Sequence, residues 1–348
     1  MTSPPGGTSQ TIGILTAGGD CPGLNAVIRA VTARVTGGGG RAIGIMNGWE
    51  GLMEGRTRPL MRDDVRGILG RGGTILGTSR KDPYVHGDGF ASVAHTLERD
   101  GIDAVVVIGG DGSLRTAATL AGEGMRAIGV PKTIDNDIDG TDITFGFDTA
   151  VQVVSDAIDR LTTTAEAHNR IMVVEVMGRT AGWIAIAGGM AGGAEVVLIP
   201  EVRYDLDEVA SRIIARHESG QNYSIVVVAE GVEPPTGSIA DLPKDAFGFA
   251  RLGGVANTMG PILERLTGFE TRVTILGHLQ RGGTPTAFDR ILGTRLGVAA
   301  AEAAMRGDSG VMMALRSGAI ESVDLAAACE HPRLVPERRY EEAEWFFA

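Results

Sequence analysis

The chain has 348 residues, a net charge of −11 and a hydrophobic content of 43%. This length suits two lobes rather than one core, and the acidic balance argues against a nucleic-acid partner, because backbone phosphates are bound by basic surfaces. The two cysteines, Cys21 and Cys329, provide neither a disulfide framework nor a zinc-ligand spacing. The N-terminal MTSPPGGTSQ lacks the pattern of a secretion signal, and no segment reaches the ~18 apolar residues of a membrane helix. We therefore expect a cytoplasmic protein without a membrane partner.

Short apolar runs rich in Val and Ile recur along the chain, and each ends in glycine or polar residues. In chain order they are TIGILTAGGD, AVVVIGGDGS, AIGVPKT, IMVVEVMGR, EVVLIPE, SIVVVAEG and VTILGHLQRGG. Nearly continuous hydrophobicity is typical of strands buried on both faces of a parallel sheet. Helix-like segments lie between these runs, at 24–34, 113–122, 149–163, 206–217 and 288–306. The alternation predicts an α/β fold with largely parallel sheets flanked by helices.

The 52 glycines, about twice the usual share of roughly 7%, cluster at the ends of the predicted strands. In open α/β sheets ligands bind beyond the carboxyl ends of the strands. We therefore expect the glycine- and charge-rich stretches to converge on one or two crevices. Residues 231–254 contain Pro and Gly throughout and are predicted to form a surface insert.

Two of these stretches have the character of phosphate-binding turns, although neither the P-loop nor the dinucleotide-binding signature is present. TAGGDCPGLNAVIR (16–29) is typical of a strand, a glycine turn and a helix start, where free amides attract phosphate; the alternative is a tight βα turn without a ligand. IGGDGSLR (108–115) has the same pattern of strand, glycine turn and helix start, with Asp111 in the turn. A carboxylate in a phosphate-binding turn would repel the ligand unless Mg²⁺ lay between them, so Asp111 suggests a metal site. The alternative is that Asp111 only caps the helix.

An acidic stretch, PKTIDNDIDGTD (131–142), follows the third predicted strand and contains four aspartates within eight positions. A solvated turn is one interpretation. The other is a metal-assisted phosphoryl-transfer site, in which Asp135 or Asp137 orients and deprotonates an alcohol. Six cationic or potentially cationic residues border similar strand ends, which favours anion binding over scattered surface charge; they are Arg80, Arg170, Arg179, Arg272, His278 and Arg281.

Six motifs in this order carry a resemblance to a known family: LTAGGDCPGLNAVIR, RGGTILGTSR, GGDGS, PKTIDNDIDGTD, VVEVMGRTAGW and LGHLQRGGTPTAFDR. From about Thr11 to Arg306 the chain resembles the 6-phosphofructokinases of the phosphofructokinase A type. The sequences of these six motifs are most similar to those of actinobacterial members of the mixed ATP/pyrophosphate-dependent group. The resemblance implies phosphoryl transfer to the 1-hydroxyl of fructose 6-phosphate, with Mg²⁺, in a homo-oligomer that is commonly a tetramer.

The resemblance also implies two lobes with the active site between them. Residues 1–146 plus 280–330 would form the lobe that binds the phosphoryl donor, and 147–279 plus 331–348 the lobe that binds the sugar phosphate. Asp135 would be the base, with Thr133 and Asp137 beside it, and Arg179 would stabilise the transferring phosphoryl group. Asp111 would hold the metal, and Arg170 and Arg272 would reach into a neighbouring subunit's site. The implied donor contacts are Gly19, Arg80, Lys81, Asp111, Gly112, Ser113 and Lys132. The implied sugar contacts are Thr133, Asp135, Arg170, Met177, Gly178, Arg179, Glu230, Arg272, His278 and Arg281.

Two positions track the phosphoryl donor in the family that the chain resembles. ATP enzymes typically have glycine at both, whereas pyrophosphate enzymes have Asp and Lys; this chain has Gly112 and Lys132. Aspartate at the first position would exclude the α-phosphate of ATP by charge and bulk, and Gly112 leaves that space open, so we predict ATP. The alternatives are pyrophosphate as donor, another acceptor such as sedoheptulose 7-phosphate, and an inactive sugar-phosphate sensor.

The best-known bacterial members bind ADP or phosphoenolpyruvate at a second site through several arginines and lysines. Alignment on the flanking motifs leaves Arg29 and Arg62 at two of those positions, with neutral residues at three others, Ala33, Thr162 and Gln221. The resemblance therefore predicts that this form of regulation is lost.

Overall fold

The computed structural model describes residues 10–241 and 252–346, so residues 242–251 of the predicted insert lie outside the described part. The described chain divides into two compact units. Unit 1 comprises the chain up to Thr133, Ile138–Gly146 and Arg281–Pro332; unit 2 comprises Ile134–Asp137, Phe147–Gln280 and the chain from Arg333 onward. Ile134–Asp137, which falls within the predicted first lobe, groups with unit 2, where the main-chain N–H of Arg333 donates to the carbonyl of Asp137 at 2.8 Å.

Unit 1 is built on one large sheet. Its strands are β1 (Thr11–Thr16), β2 (Arg41–Ile45), β3 (Thr57–Leu60), β4 (Ala104–Gly109), β5 (Ala127–Thr133), β6 (Phe145–Gly146), β11 (Val311–Arg316) and β12 (Ala319–Asp324). The helices are α1 (Leu24–Gly37), α2 (Gly48–Glu54), α3 (Pro83–His86), α4 (Phe90–Asp100), α5 (Asp111–Gly122) and α10 (Ala287–Arg306). The strand order is β12-β11-β5-β4-β1-β2-β3, and β6 pairs with β5. Among the strand pairs of this sheet in the described residues, only β2 with β3 and β11 with β12 are antiparallel.

Unit 2 is built on a four-stranded parallel sheet in the order β10-β7-β9-β8. Its strands are β7 (Ile171–Val176), β8 (Val196–Leu198), β9 (Ser224–Ala229) and β10 (Thr271–Ile275). Its helices are α6 (Phe147–His168), α7 (Trp183–Gly192), α8 (Leu206–Glu218), α9 (Val255–Thr267) and α11 (Glu337–Glu344). Every residue of β7 and β9 is buried, as the continuous apolar runs predicted.

All seven predicted strands and all five predicted helices are present, so the predicted α/β fold with largely parallel sheets is confirmed. The core of unit 1 shows why these segments fold as they do: Leu15 of β1, Val107 of β4 and Leu114 of α5 belong to one cluster of buried side chains. Within the described chain, no helix is both long and apolar enough to span a bilayer.

Candidate active site

The carboxyl ends of β1, β4 and β5 lie side by side in unit 1, because the three strands are parallel and in register. We define the glycine cradle as Gly18 and Gly19, which follow β1, and Gly110 and Gly112, which follow β4 at the start of α5. Lys132 at the end of β5 is buried, and its Nζ donates a hydrogen bond to the carbonyl of Gly19. The two glycine-rich turns that follow β1 and β4 therefore lie together beside Lys132 of β5, as predicted for these two stretches.

Neighbouring groups lie close to three of the cradle glycines, although the group that faces Gly19 is the flexible end of an arginine side chain, which can move aside. A Cβ atom on Gly19 would lie 2.7 Å from Nη1 of Arg281, and one on Gly110 would lie 3.3 Å from the carbonyl of Lys132. Gly18 has a φ of 80°, which side chains rarely adopt. Gly112 differs from these, since a Cβ atom there would meet nothing within 4 Å. The space beside Gly112 is therefore open.

Asp111 is the first residue of α5, and the N-cap is Gly110, without a side-chain cap bond. The capping alternative is therefore wrong. Both carboxylate oxygens of Asp111 accept from Arg115 at 3.1 Å. No group of three or more His, Cys, Asp or Glu side chains in the described residues is arranged to hold a metal. A single carboxylate such as that of Asp111 is compatible with Mg²⁺ when phosphate oxygens and water provide the other ligands.

The segment that contains the predicted donor ligands Arg80 and Lys81 lies against the glycine cradle. The main-chain N–H of Gly18 donates to the carbonyl of Ser79 at 3.1 Å, and Oγ1 of Thr78 donates to the carbonyl of Gly18 at 2.7 Å. Arg80 is exposed. Lys81 forms an ion pair with Glu50 at 2.8 Å, and this contact holds the pKa of Glu50 below its usual value. Arg80 is therefore the more available cation of the two.

The acidic loop, defined as Ile134–Asp137, belongs to unit 2 and is buried. Asp135 is 3% exposed, Asn136 2% and Asp137 9%. Carboxylates are seldom buried to this degree unless they are held by polar partners, so the solvated-turn interpretation is wrong for these three residues. Asn136 has a φ of 54°, a left-handed conformation that clusters at functional loops. Thr133, the last residue of β5, is also buried but belongs to unit 1.

Unit 2 also contains the arginine turn, defined as Gly178–Gly182, between β7 and α7. Arg179 has a φ of 54°, and its main-chain N–H donates to Oε1 of Glu230 at 3.1 Å. Gly231 must be glycine here, because a Cβ atom on it would lie 1.8 Å from the carbonyl oxygen of Arg179. The structure thus brings together two predicted site residues, Arg179 and Glu230, that are 51 positions apart.

Met177 and Gly277, the residue before His278, are linked through Gln280, which no sequence pattern predicted. Oε1 of buried Gln280 accepts from the main-chain N–H of Met177 at 3.3 Å, and its Nε2 donates to the carbonyl of Gly277 at 3.1 Å. His278 itself is exposed. Arg281, predicted to bind the sugar phosphate, lies in unit 1, where its Nη1 donates to the carbonyl of Asp20 at 3.3 Å.

The two arginines predicted to serve a neighbouring subunit share one carboxylate. Glu270 accepts from Nε of Arg170 at 2.7 Å, and its other oxygen accepts from Arg272. Arg170 chiefly, and Arg272 also, hold the pKa of Glu270 below its usual value. Glu270 thus keeps the two guanidinium groups together. No local pattern in the sequence marks this residue as part of the site.

Comparisons with known proteins agree with this chemistry. The family model described as Phosphofructokinase matches residues 11–304. The chain is 51% identical over 336 residues to ATP-dependent 6-phosphofructokinase 3 of Streptomyces coelicolor, covering 96% of the chain and 98% of that relative. It is 50% identical over 339 residues to pyrophosphate–fructose 6-phosphate 1-phosphotransferase of Amycolatopsis methanolica, covering 97% and 99%. The structure of Pichia pastoris phosphofructokinase in the T-state superposes with a TM-score of 0.82 at 33% identity, covering 94% of this chain and 36% of that longer one.

These matches define the class as phosphotransferases with an α/β fold, and both predictions are confirmed. The chain belongs to the phosphofructokinase family.

Proposed function

We propose that this protein transfers the γ-phosphoryl group of ATP to the 1-hydroxyl of fructose 6-phosphate. The observation that supports ATP is the open space beside Gly112, where a Cβ atom would meet nothing within 4 Å. The family relationship supports fructose 6-phosphate as the acceptor, because relatives named for this sugar phosphate or for phosphofructokinase align over nearly the whole chain.

The proposed roles are distributed over the residues of both units. In unit 2, Asp135 accepts the proton of the attacking hydroxyl, Asp137 supports it, and Arg179 neutralises charge on the transferring phosphoryl group. Met177, Gly178 and Glu230 contact the sugar, and Arg170, Arg272 and His278 provide cationic or potentially cationic partners for its phosphate. Thr133 and Arg281, which belong to unit 1, are the remaining residues that the family resemblance assigns to the sugar phosphate. The donor is bound by Gly19, Arg80, Lys81, Gly112, Ser113 and Lys132.

Asp111 is the residue that would hold Mg²⁺. When bound, this ion neutralises charge on the phosphate oxygens of the donor. The first turn of α5, in which Gly112 is exposed and Asp111 and Ser113 are half-buried, would offer its main-chain amides to the same phosphates.

Pyrophosphate is the second candidate donor, and Lys132 is the observation in its favour. The relative from Amycolatopsis methanolica that is named for pyrophosphate is 50% identical to this chain. However, Lys132 already donates to the carbonyl of Gly19. This hydrogen bond gives Lys132 a structural role in the glycine cradle that does not depend on the donor. Because Lys132 therefore does not require pyrophosphate, we favour ATP.

A coupled assay tests the acceptor. The protein is incubated with MgATP and either fructose 6-phosphate or sedoheptulose 7-phosphate, and the bisphosphate product is followed through aldolase. Turnover with fructose 6-phosphate should have the higher kcat/KM. Preference for sedoheptulose 7-phosphate would reassign the acceptor, and binding of sugar phosphate without turnover would support the sensor alternative.

We also propose that the protein acts as a homo-oligomer, a dimer at minimum and a tetramer by resemblance, with sites shared between subunits. Mixing Asp135→Asn subunits with Arg272→Ala subunits should restore activity, because in each hybrid pair one site combines an intact base with an intact arginine. Random 1:1 mixing of dimers should give about a quarter of wild-type activity. Inactive mixtures in which native mass spectrometry demonstrates hybrids would contradict a shared site.

Regulation by phosphoenolpyruvate and ADP should be absent. Arg62 donates to the carbonyl of Ala33 at 3.4 Å, which places it beside α1, where Arg29 and Ala33 are one turn apart. Three positions of the effector site are neutral, Ala33, Thr162 and Gln221, and each lost charge-assisted hydrogen bond is worth roughly 1.5–3 kcal/mol. Fructose 6-phosphate kinetics should therefore be nearly hyperbolic and insensitive to millimolar phosphoenolpyruvate. Strong inhibition that ADP relieves would show that an effector site of this kind survives.

A further inference from the structure

The C-terminal clasp, which we define as Arg333–Val335, lies against the acidic loop within unit 2. The main-chain N–H of Arg333 donates to the carbonyl of Asp137 at 2.8 Å. Nη1 of the same residue donates to the carbonyl of Asn136 at 3.3 Å. These are the two carbonyls that follow Asp135 in the chain. Arg333 therefore holds the backbone that carries the proposed base.

Arg333 is itself held from its other side by the start of α7. Its guanidinium lies over the ring of Trp183, 4.2 Å from the centroid, and Nε1 of Trp183 donates to its carbonyl at 2.9 Å. Glu201 makes a parallel link, because it accepts from the main-chain N–H groups of Gly182 at 3.0 Å and Val335 at 2.9 Å. The clasp thus ties the acidic loop to the end of the arginine turn.

The conformation of the acidic loop explains why such a tie matters. Asn136, with its φ of 54°, adopts a left-handed backbone conformation that residues other than glycine seldom take, and contacts around the loop help to hold it. The guanidinium of Arg333 binds the carbonyl of this same residue. A general base must be held within a fraction of an ångström of its productive position, since small displacements cost large factors in rate.

We propose that Arg333 is a positioning residue for phosphoryl transfer and acts on turnover through Asp135. This inference rests on the proposed function, in which Asp135 is the base. Arg333 lies beyond residues 11–304, the part of the chain that the family model matches. Its role is therefore assigned from its contacts in unit 2.

The first test is Arg333→Met in the full-length protein. Methionine keeps an unbranched apolar chain over Trp183 but removes the donor to Asn136. We expect kcat to fall about tenfold or more, with KM for fructose 6-phosphate and for ATP nearly unchanged. Arg333→Lys should recover part of the loss, because it keeps a cation and a donor. Arg338→Met is the matched control, since Arg338 of α11 is 85% exposed and pairs with Glu342; it should retain wild-type turnover.

The second test is a double-mutant cycle with Asp135→Asn, with thermal unfolding used to verify that every variant is folded. If Arg333 acts through Asp135, the double variant should turn over no more slowly than Asp135→Asn alone. Losses that multiply would overturn the proposal, and so would wild-type kcat in folded Arg333→Met. Failure of the proposed base gives a different result, since Asp135→Asn alone would then keep its turnover, which would overturn both inferences.

Discussion

Gly112→Asp is expected to lower kcat/KM for MgATP by roughly 10³-fold. A carboxylate about 4 Å from a phosphate oxygen costs about 4 kcal/mol at an effective dielectric constant of about 20. The substitution should not disturb folding, because a Cβ atom at Gly112 meets nothing within 4 Å and an acidic residue is favourable in the first turn of a helix. Steady-state kinetics with MgATP and with Mg-pyrophosphate measure the effect, and activity with pyrophosphate should fall far less.

Gly112→Asn is the matched control for this prediction. Asparagine has nearly the shape of aspartate without its charge, so its loss of ATP activity measures bulk alone. We expect that loss to be much the smaller. If Gly112→Asp keeps wild-type kcat/KM for MgATP, the α-phosphate does not approach this position and the structural reason for favouring ATP disappears.

Asp135→Asn is expected to lower kcat by ~10²–10⁴-fold, the usual cost of removing a general base. KM for fructose 6-phosphate should change little, because the substitution keeps the size of the side chain and the proposed cationic ligands of the sugar phosphate are intact. Initial rates at saturating MgATP, with fructose 6-phosphate varied, separate the two parameters.

Asp139→Asn is the control for Asp135→Asn. Asp139 belongs to the same acidic stretch but is exposed, and its Oδ1 accepts a local hydrogen bond from the main-chain N–H of Gly140 at 2.8 Å. Its replacement should leave kcat within about twofold, as is usual for surface positions. Equal losses in the two variants would mean that charge in the stretch matters, rather than a base at Asp135.

The interior of the fold could be predicted because strands buried on both faces have continuous apolar sequences. β1, β4, β7 and β9 are buried at every residue, and each was predicted. Edge elements carry a weaker signal. β12 is exposed or half-buried along its whole length, and β3 contains Pro59, which is tolerated at the edge of a sheet. Neither was predicted.

The chemistry of the candidate site could be predicted where it follows directly from a strand end. The glycine cradle and the acidic loop are of this kind. The long-range contacts of the site residues could not be predicted, because the two partners of each contact are distant in sequence. Gln280 binds Met177 across 103 positions, and Arg333 binds Asn136 across 197. No local periodicity or spacing in the sequence indicates such contacts, so they are visible only in the folded structure.

The choice of phosphoryl donor is the central claim, and one measurement on the wild-type protein tests it most directly. Initial rates are compared with MgATP and with Mg-pyrophosphate, each varied at saturating fructose 6-phosphate. The open space beside Gly112 predicts a kcat/KM for ATP that exceeds that for pyrophosphate by at least about tenfold, a difference of about 1.4 kcal/mol. An equal or higher kcat/KM with pyrophosphate would contradict the assignment and make Lys132, rather than Gly112, the residue that decides the donor.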